Sequence, residues 1–158
     1  ISNYKRKLMA TSRRSDIIDT LVTQLKEIDG AESDFDSDYT YNTNLYNNVE
    51  RQIKFLDEVN DFPSVYVSAE TEIRDFNSQS LTTATLDATI RAYVFSDDES
   101  QDEIDNLIQD IEHVIYRIGD NSDKGIQEIS ISSISVDEGL FSPYGLGEIE
   151  ITIDYILV

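Results

Sequence analysis

A chain of 158 residues holds one compact domain with its own core and is too short for two comfortable ones. Its 12 Lys and Arg stand against 32 Asp and Glu, a formal charge of −20, which excludes a general surface that grips DNA or anionic membrane. There is no cysteine, so disulfide frameworks and thiolate metal sites are excluded, and no apolar run nears the roughly 20 residues of a membrane-spanning helix.

The first residues, Ile1 to Lys7, lack the apolar centre of a signal segment, so the expectation is a soluble chain made in the cytosol. Position 1 is Ile rather than Met, and an initiator or short leader is expected before it. Lys5, Arg6, Lys7, Arg13 and Arg14 put five of the twelve basic residues into positions 1–14, a basic arm on an acidic body. Such an arm is either an electrostatic strap onto an acidic neighbour, another copy included, or a solvated extension.

From Ser15 to Ile28 the residues Ile17, Ile18, Leu21, Val22, Leu25 and Ile28 recur at helical spacing, which predicts an amphipathic helix. Ser12 or Ser15 is its expected cap, and Gly30 its stop. Residues 29–48 are rich in Asp, Ser, Asn and Thr and read as a long loop. Within it, Asp34 to Asp38 opens like a calcium loop, but Tyr39 and Leu45 occupy the positions that need the turn glycine and the closing glutamate.

Val49 to Val59 fits a helical stripe and a strand face alike, with a short strand and a turn preferred. Phe62-Pro63 then breaks the chain, and Val65, Val67 and Ala69 alternate with polar neighbours as a strand that follows its proline. Glu70–Phe76 and Leu81–Phe95 flank the polar tip Asn77–Ser80 and predict a long antiparallel hairpin, an arm that rests on a neighbour or stands free.

Ser100 to Glu103 has the spacing of a capping box, and Ile104, Leu107, Ile108, Ile111, Val114, Ile115 and Ile118 form the core stripe of a second helix that Gly119 ends. Asp102, Asp105, Asp110 and Glu112 are expected on its solvated side. No basic residue interrupts 97–112, so this face either lines a channel that repels DNA or is merely wet. The last two strands are joined by Asp137–Gly147. Ile129 and Ile131 differ in phase from Ile134 and Val136, which calls for a bulge at Ser132-Ser133 or for cover on both faces. The joining loop carries Leu140, Phe141, Pro143, Tyr144 and Leu146 where a plain surface loop would be polar.

His113 is the single histidine and is expected to be exposed beside Glu112. With no cysteine, no second histidine and no glycine-rich phosphate loop, the parts needed for thiol catalysis, a histidine metal site or nucleotide binding are missing. The expectation is a protein that is not an enzyme and needs no cofactor.

Four phrases resemble the tail terminator family of long-tailed bacteriophages: Val49–Pro63 leading into a strand, Thr85–Val94, Ile108–Val114 and Ser135–Glu148. The resemblance runs from about Asp16 onward and leaves the basic arm and the acidic loop unmatched. It implies a structural virion protein of the tail-neck region, assembled in the host cytoplasm, whose homohexameric ring caps the tail tube, ends its polymerisation and offers a joining surface to the head. The implied partners are further copies, the tail tube protein and a head-completion or neck protein, with DNA passing through the bore and no membrane.

The expected fold is α+β: a mainly antiparallel or mixed β-sheet, two amphipathic helices packed on it, and a long β-hairpin arm, all in one domain. Arg13 and Arg14 are then a candidate subunit contact. Asp102, Asp105, Asp110 and Glu112 are a candidate lumen face. Leu140, Phe141, Pro143 and Tyr144 are candidates for a subunit or tube interface, with burial in the chain's own core as the alternative. The rival function is an acidic DNA mimic or inhibitor that binds a basic nucleic-acid-binding partner.

Overall fold

The computed structural model describes residues 13–76, 82–120 and 125–157. In chain order they form helix α1 (Arg13–Leu25), strand β1 (Val49–Glu50), a 3-10 turn (Leu56–Glu58), strands β2 (Ser64–Phe76) and β3 (Thr82–Phe95), helix α2 (Ser100–Asp120), and strands β4 (Ile126–Val136) and β5 (Tyr144–Ile156). The strands make one sheet in the order β1-β2-β3-β5-β4, in which the short β1–β2 pair is parallel and the others are antiparallel. The fold is therefore α+β.

Both helices cover the same face of the sheet. Leu86 and Ile90 of β3 and Ile149, Ile151 and Ile153 of β5 point into it and meet Ile17, Leu21 and Leu25 of α1 and Ile104, Leu107, Ile111 and Ile115 of α2 in one core. Each such side chain taken from water contributes about 1.5–3 kcal/mol before the entropy of ordering the chain is counted. Alanines 84, 88 and 92 of β3 keep the middle of that face low, and Gly145 and Gly147 of β5 lower it further. A Cβ on Gly145 would stand 2.7 Å from the Ser100 carbonyl oxygen, and one on Gly147 3.1 Å from Ile108 Cδ1. These two glycines belong to a strand that α2 closely approaches, and the turn ends before them.

Several local expectations shift. Ser15 lies inside α1, where its hydroxyl accepts a hydrogen bond from Arg51 (2.8 Å), so it does not cap the helix; Ser12 lies outside the described residues. The helix stops at Leu25, yet Ile28 stays in the core, with the chain turning at Gly30 (φ +79°). Helix α2 starts at Ser100 as expected, but the Glu99 carbonyl accepts the Glu103 amide (2.9 Å), which places the cap one residue earlier. There the Ser96 hydroxyl accepts the Glu99 amide (3.1 Å). The helix runs through Gly119 to Asp120.

The two segments read as a strand and a hairpin leg are one strand, β2, with a bulge between Ala69 and Glu72, and it pairs with β3 from Ser64↔Tyr93 to Phe76↔Thr82. The tip Asn77–Ser80 lies outside the described residues. In β4 the register shifts between Ile131 and Ser133. That bulge resolves the phase conflict: Ile129, Ile131, Ile134 and Val136 pair with Ile153, Ile151, Ile149 and Gly147, so all four lie on the helix-covered face.

Candidate functional site

The apolar turn between β4 and β5 is held by one carboxylate. Asp137 Oδ1 accepts the Leu146 amide (3.0 Å) and the Gln101 side-chain amide (3.3 Å), Oδ2 accepts the Phe141 amide (3.2 Å), and the Asp137 carbonyl accepts the Leu140 amide (3.0 Å). Glu138 and Gly139 take positive φ, 51° and 84°, to close the turn around it. The result is an ordered loop whose apolar tips face outward: Leu140 is 77% exposed and Phe141 46%. Pro143 and Tyr144 are half-buried, and Tyr144 is the first residue of β5 rather than a loop residue.

Tyr144 belongs to an aromatic group that its own segment did not reveal. Its ring lies 5.3 Å from Phe62 and 5.2 Å from Phe95, centroid to centroid, with Phe62 and Phe95 6.4 Å apart. The peptide bonds Phe62–Pro63 and Ser142–Pro143 are both cis, and Ser96 donates its amide to the Pro143 carbonyl (2.9 Å), which ties the turn to the end of β3. On the face of the sheet away from the helices, Val59, Tyr66 and Tyr93 form a second small core with Leu56, Phe62 and Leu146 packed on it. Beside it opens a cleft of about 360 Å³ lined by Phe55, Arg91, Asp137 and Glu148 among others, with the Arg91 guanidinium 5.2 Å from the Phe55 ring centroid and 3.9 Å from Glu148. One end of the sheet thus gathers an exposed apolar turn, an aromatic cluster and a polar-rimmed cleft.

Arg13 and Arg14 stand at the opposite end. They are the first described residues of α1, and the Arg13 guanidinium lies over Gly125, 3.1 Å from where a Cβ would be. A shallow cleft there is lined by Arg13, Arg74, Phe76, Thr82 and Leu157. Arg14 is exposed, and its charge helps hold Glu72 low. Burial pushes the Glu72 carboxyl up, but hydrogen bonds from Tyr155 and Arg74, with the charges of Arg74 and Arg14, bring it below its ordinary value. Lys5, Arg6 and Lys7 lie outside the described residues.

The candidate acidic face loses one member. Asp102 and Asp105 are exposed and Glu112 is half-buried, but Asp110 is fully buried. Its Oδ1 accepts the Tyr39 hydroxyl (2.7 Å), the Asn42 amide (3.0 Å) and the Asn42 side-chain amide (3.2 Å), and Oδ2 accepts the Thr43 amide (2.9 Å). Asp110 is the anchor of the 29–48 loop and is removed from the lumen candidates. Burial raises its carboxyl above the ordinary value, and the bonds from Asn42, Tyr39 and Thr43 offset that only in part. His113, expected in solvent, is half-buried in the same place: its ring stacks on Tyr39 (3.9 Å, 5°), meets Tyr41 edge-on, and its Nε2 is 3.1 Å from Ser33 Oγ. The calcium-like stretch fails where the spacing said it would, because Tyr39 turns inward to Asp110 and Leu45 is core.

No group of three or more His, Asp or Glu side chains converges as a metal site would among the described residues. A family model described as Bacteriophage Tail Tube Terminator Protein matches residues 11–157. The chain belongs to this family. The terminator match is supported by a curated relative, the tail tube terminator protein p142 of Escherichia phage T5, which is 31% identical over 154 residues, covering 90% of this chain and 92% of that protein.

Two groups that the sequence did not single out are Asp137, whose role needed the turn geometry, and Phe62 with Phe95, which are 33 positions apart in sequence and meet only through the sheet. The one local signal was the pair of aromatic-flanked prolines, Phe62-Pro63 and Pro143-Tyr144.

Proposed function

We propose that the protein is a structural component of the phage tail that assembles as a homohexameric ring on the end of the tail tube, stops its growth and presents the surface to which the head joins through a head-completion or neck protein. The observation that carries this reading is the family match over nearly the whole chain, taken with a turn that Asp137 holds rigid while Leu140 and Phe141 stand in solvent. An apolar pair kept exposed on an ordered loop is a contact waiting for its partner. In this reading Leu140, Phe141 and Pro143 meet a neighbouring subunit or the tube protein, and Tyr144 supports them from the aromatic cluster. The hairpin leg of β2 and β3 rests on an adjacent copy.

Arg13 and Arg14 lie at one end of the sheet and the acidic first turn of α2 at the other. They do not meet within one chain, and a ring interface joins two different surfaces of each copy. The basic end of one subunit then faces the acidic helix of another. Asp102, Asp105 and Glu112 line the bore and let DNA pass without sticking. The protein resides at the tail neck of the virion, is assembled in the host cytoplasm, needs no cofactor and carries no catalytic activity.

Light scattering on the purified chain, alone and with tail tubes, tests the ring: a hexamer is expected, and a species that stays monomeric even on tube ends overturns it. Ring formation that is unchanged in high salt and after Arg13→Gln with Arg14→Gln removes the charge pairing from the account. A ring with Asp102 and Asp105 on its outer wall removes the lumen assignment.

A further inference from the structure

The sheet has two uncovered edges of unlike character. On one side β4 is the last strand, and among the described residues nothing pairs with its outer side. It carries one charge, Glu128, in eleven residues, has no proline or lysine, and leaves Ile134 42% exposed. Two bulges interrupt its pairing with β5, but the stretch is otherwise rich in isoleucine and flat polar residues, the composition that makes a bare edge prone to accept another strand. On the other side β1 covers β2 only at Val65 and Tyr66, so among the described residues the outer side of β2 is unpaired from there to Phe76. This second edge is charged, with Glu70, Glu72, Arg74 and Asp75.

We infer that in the ring the outer edge of β4 in one subunit pairs with the outer edge of β2 in the next, joining the sheets of successive copies. The inference rests on the ring reading and names its interface; copies side by side in this orientation bring like ends together, so the edge pairing stands in place of the contact between Arg13, Arg14 and the first turn of α2. Strand direction supports it. Across β2, β3, β5 and β4 the strands alternate in direction, so a second copy placed beside the first in the same orientation sets its β2 antiparallel to the first copy's β4. The alternation continues without a break from copy to copy. The two edges differ, so the contact is heterologous and continues from copy to copy instead of ending at a pair; a rotation that closes makes it a ring.

The competing contacts are poorer. Pairing β2 with β2 would set acidic stretches against each other, and like charges directly opposite are destabilising. Pairing β4 with β4 would close a dimer and leave the β2 edge bare. In a level junction Glu128, which shares its row with Asp154, Thr85 and Ile73, comes opposite the uncharged Ile73 of the next copy, so no like charges stand directly opposite there.

The natural chain has no cysteine, so introduced thiols report only the designed contact. Four double variants combine Glu128→Cys or Ser130→Cys on β4 with Ile73→Cys or Asp75→Cys on β2, which spans a stagger of two residues. Within one chain the two edges lie three strand spacings apart, roughly 14 Å, beyond the reach of a disulfide. The full-length protein is oxidised in the presence of tail tubes and run under non-reducing conditions. At least one double variant is expected to give a ladder of covalent oligomers up to the size of the ring, while single variants stay monomeric. Rings seen by light scattering with no ladder in any of the four overturn the edge pairing and leave the ring standing. Covalent dimers from a single β4 variant overturn it in favour of β4 against β4. Absence of any ring on tube ends defeats the ring reading, and this inference with it.

Discussion

The irregular segments 29–48 and 137–143 both carry aromatic side chains, and each is organised by one aspartate, yet they end on opposite sides of the solvent boundary. In the first, Asp110 reaches out from α2 and draws in a polar loop, so that Tyr41 and Leu45 enter the core and Tyr39 stacks on His113. In the second, Asp137 ties up its own backbone neighbours and leaves Leu140 and Phe141 facing water. The polar-looking loop sends Tyr41 and Leu45 into the core, and the apolar-looking loop holds Leu140 and Phe141 at the surface. The two carboxylates differ in what they hold: Asp110 accepts bonds from a loop about seventy positions away, whereas Asp137 accepts chiefly the amides of its own turn, with one bond from Gln101 of α2.

The largest effect is expected at Asp110. Asp110→Ala leaves the Tyr39 hydroxyl and the amides of Asn42 and Thr43 without their acceptor in a buried place, and is expected to cost about 3 kcal/mol in urea unfolding. The same carboxyl gives a pH signature. Burial raises it in the folded state, so the folded chain holds this proton to a higher pH than the unfolded chain does. Its contribution to stability is full below the unfolded value and declines as pH rises through the folded one. The stability of the natural chain relative to Asp110→Asn is therefore expected to grow as pH falls from 7 towards 4. A difference that shrinks instead would show that the four bonds to the carboxylate outweigh its burial.

At the other loop the effects are smaller. Asp137→Ala removes acceptors that water partly replaces, and about 1–2 kcal/mol is expected, together with faster amide exchange at Phe141 and Leu146. Leu140→Ser with Phe141→Ser is expected to change stability by less than about 0.5 kcal/mol, because little packing is lost, and yet to abolish assembly on tubes. Tyr144→Ser differs from both, since it dismantles contacts to Phe62 and Phe95 and weakens the fold as well.

The helices, the β2–β3 pairing and the final strand pair were legible because each rests on a period that runs through its own residues. The stripe from Ile104 to Ile118 and the alternation from Leu86 to Val94 needed no distant partner to be read. The bulge at Ser132 was legible as one of two ways to resolve a conflict of phase, and the register shift between Ile131 and Ser133 decides for it. Asp110 was not, because helical spacing places it beside the stripe, and only the 29–48 loop, folding back over α2, turns that position into interior. His113 moved inward for the same reason. Gly145 and Gly147 resembled turn residues since glycine marks both turns and close approaches, and α2 had to be in place to tell them apart. The apolar turn itself was legible as an anomaly, and its direction was not.

In the proposed role the outward apolar turn caps the tube, while the inward polar loop holds the subunit together. Electron microscopy of tail tubes growing from tube protein, with this chain added at increasing amounts, tests it most directly. The natural chain is expected to halt growth and leave a ring at the tube end, and Leu140→Ser with Phe141→Ser, melting at the same temperature, to let growth continue. Tubes that stop equally well with the double variant, or that keep growing with the natural chain, would contradict it.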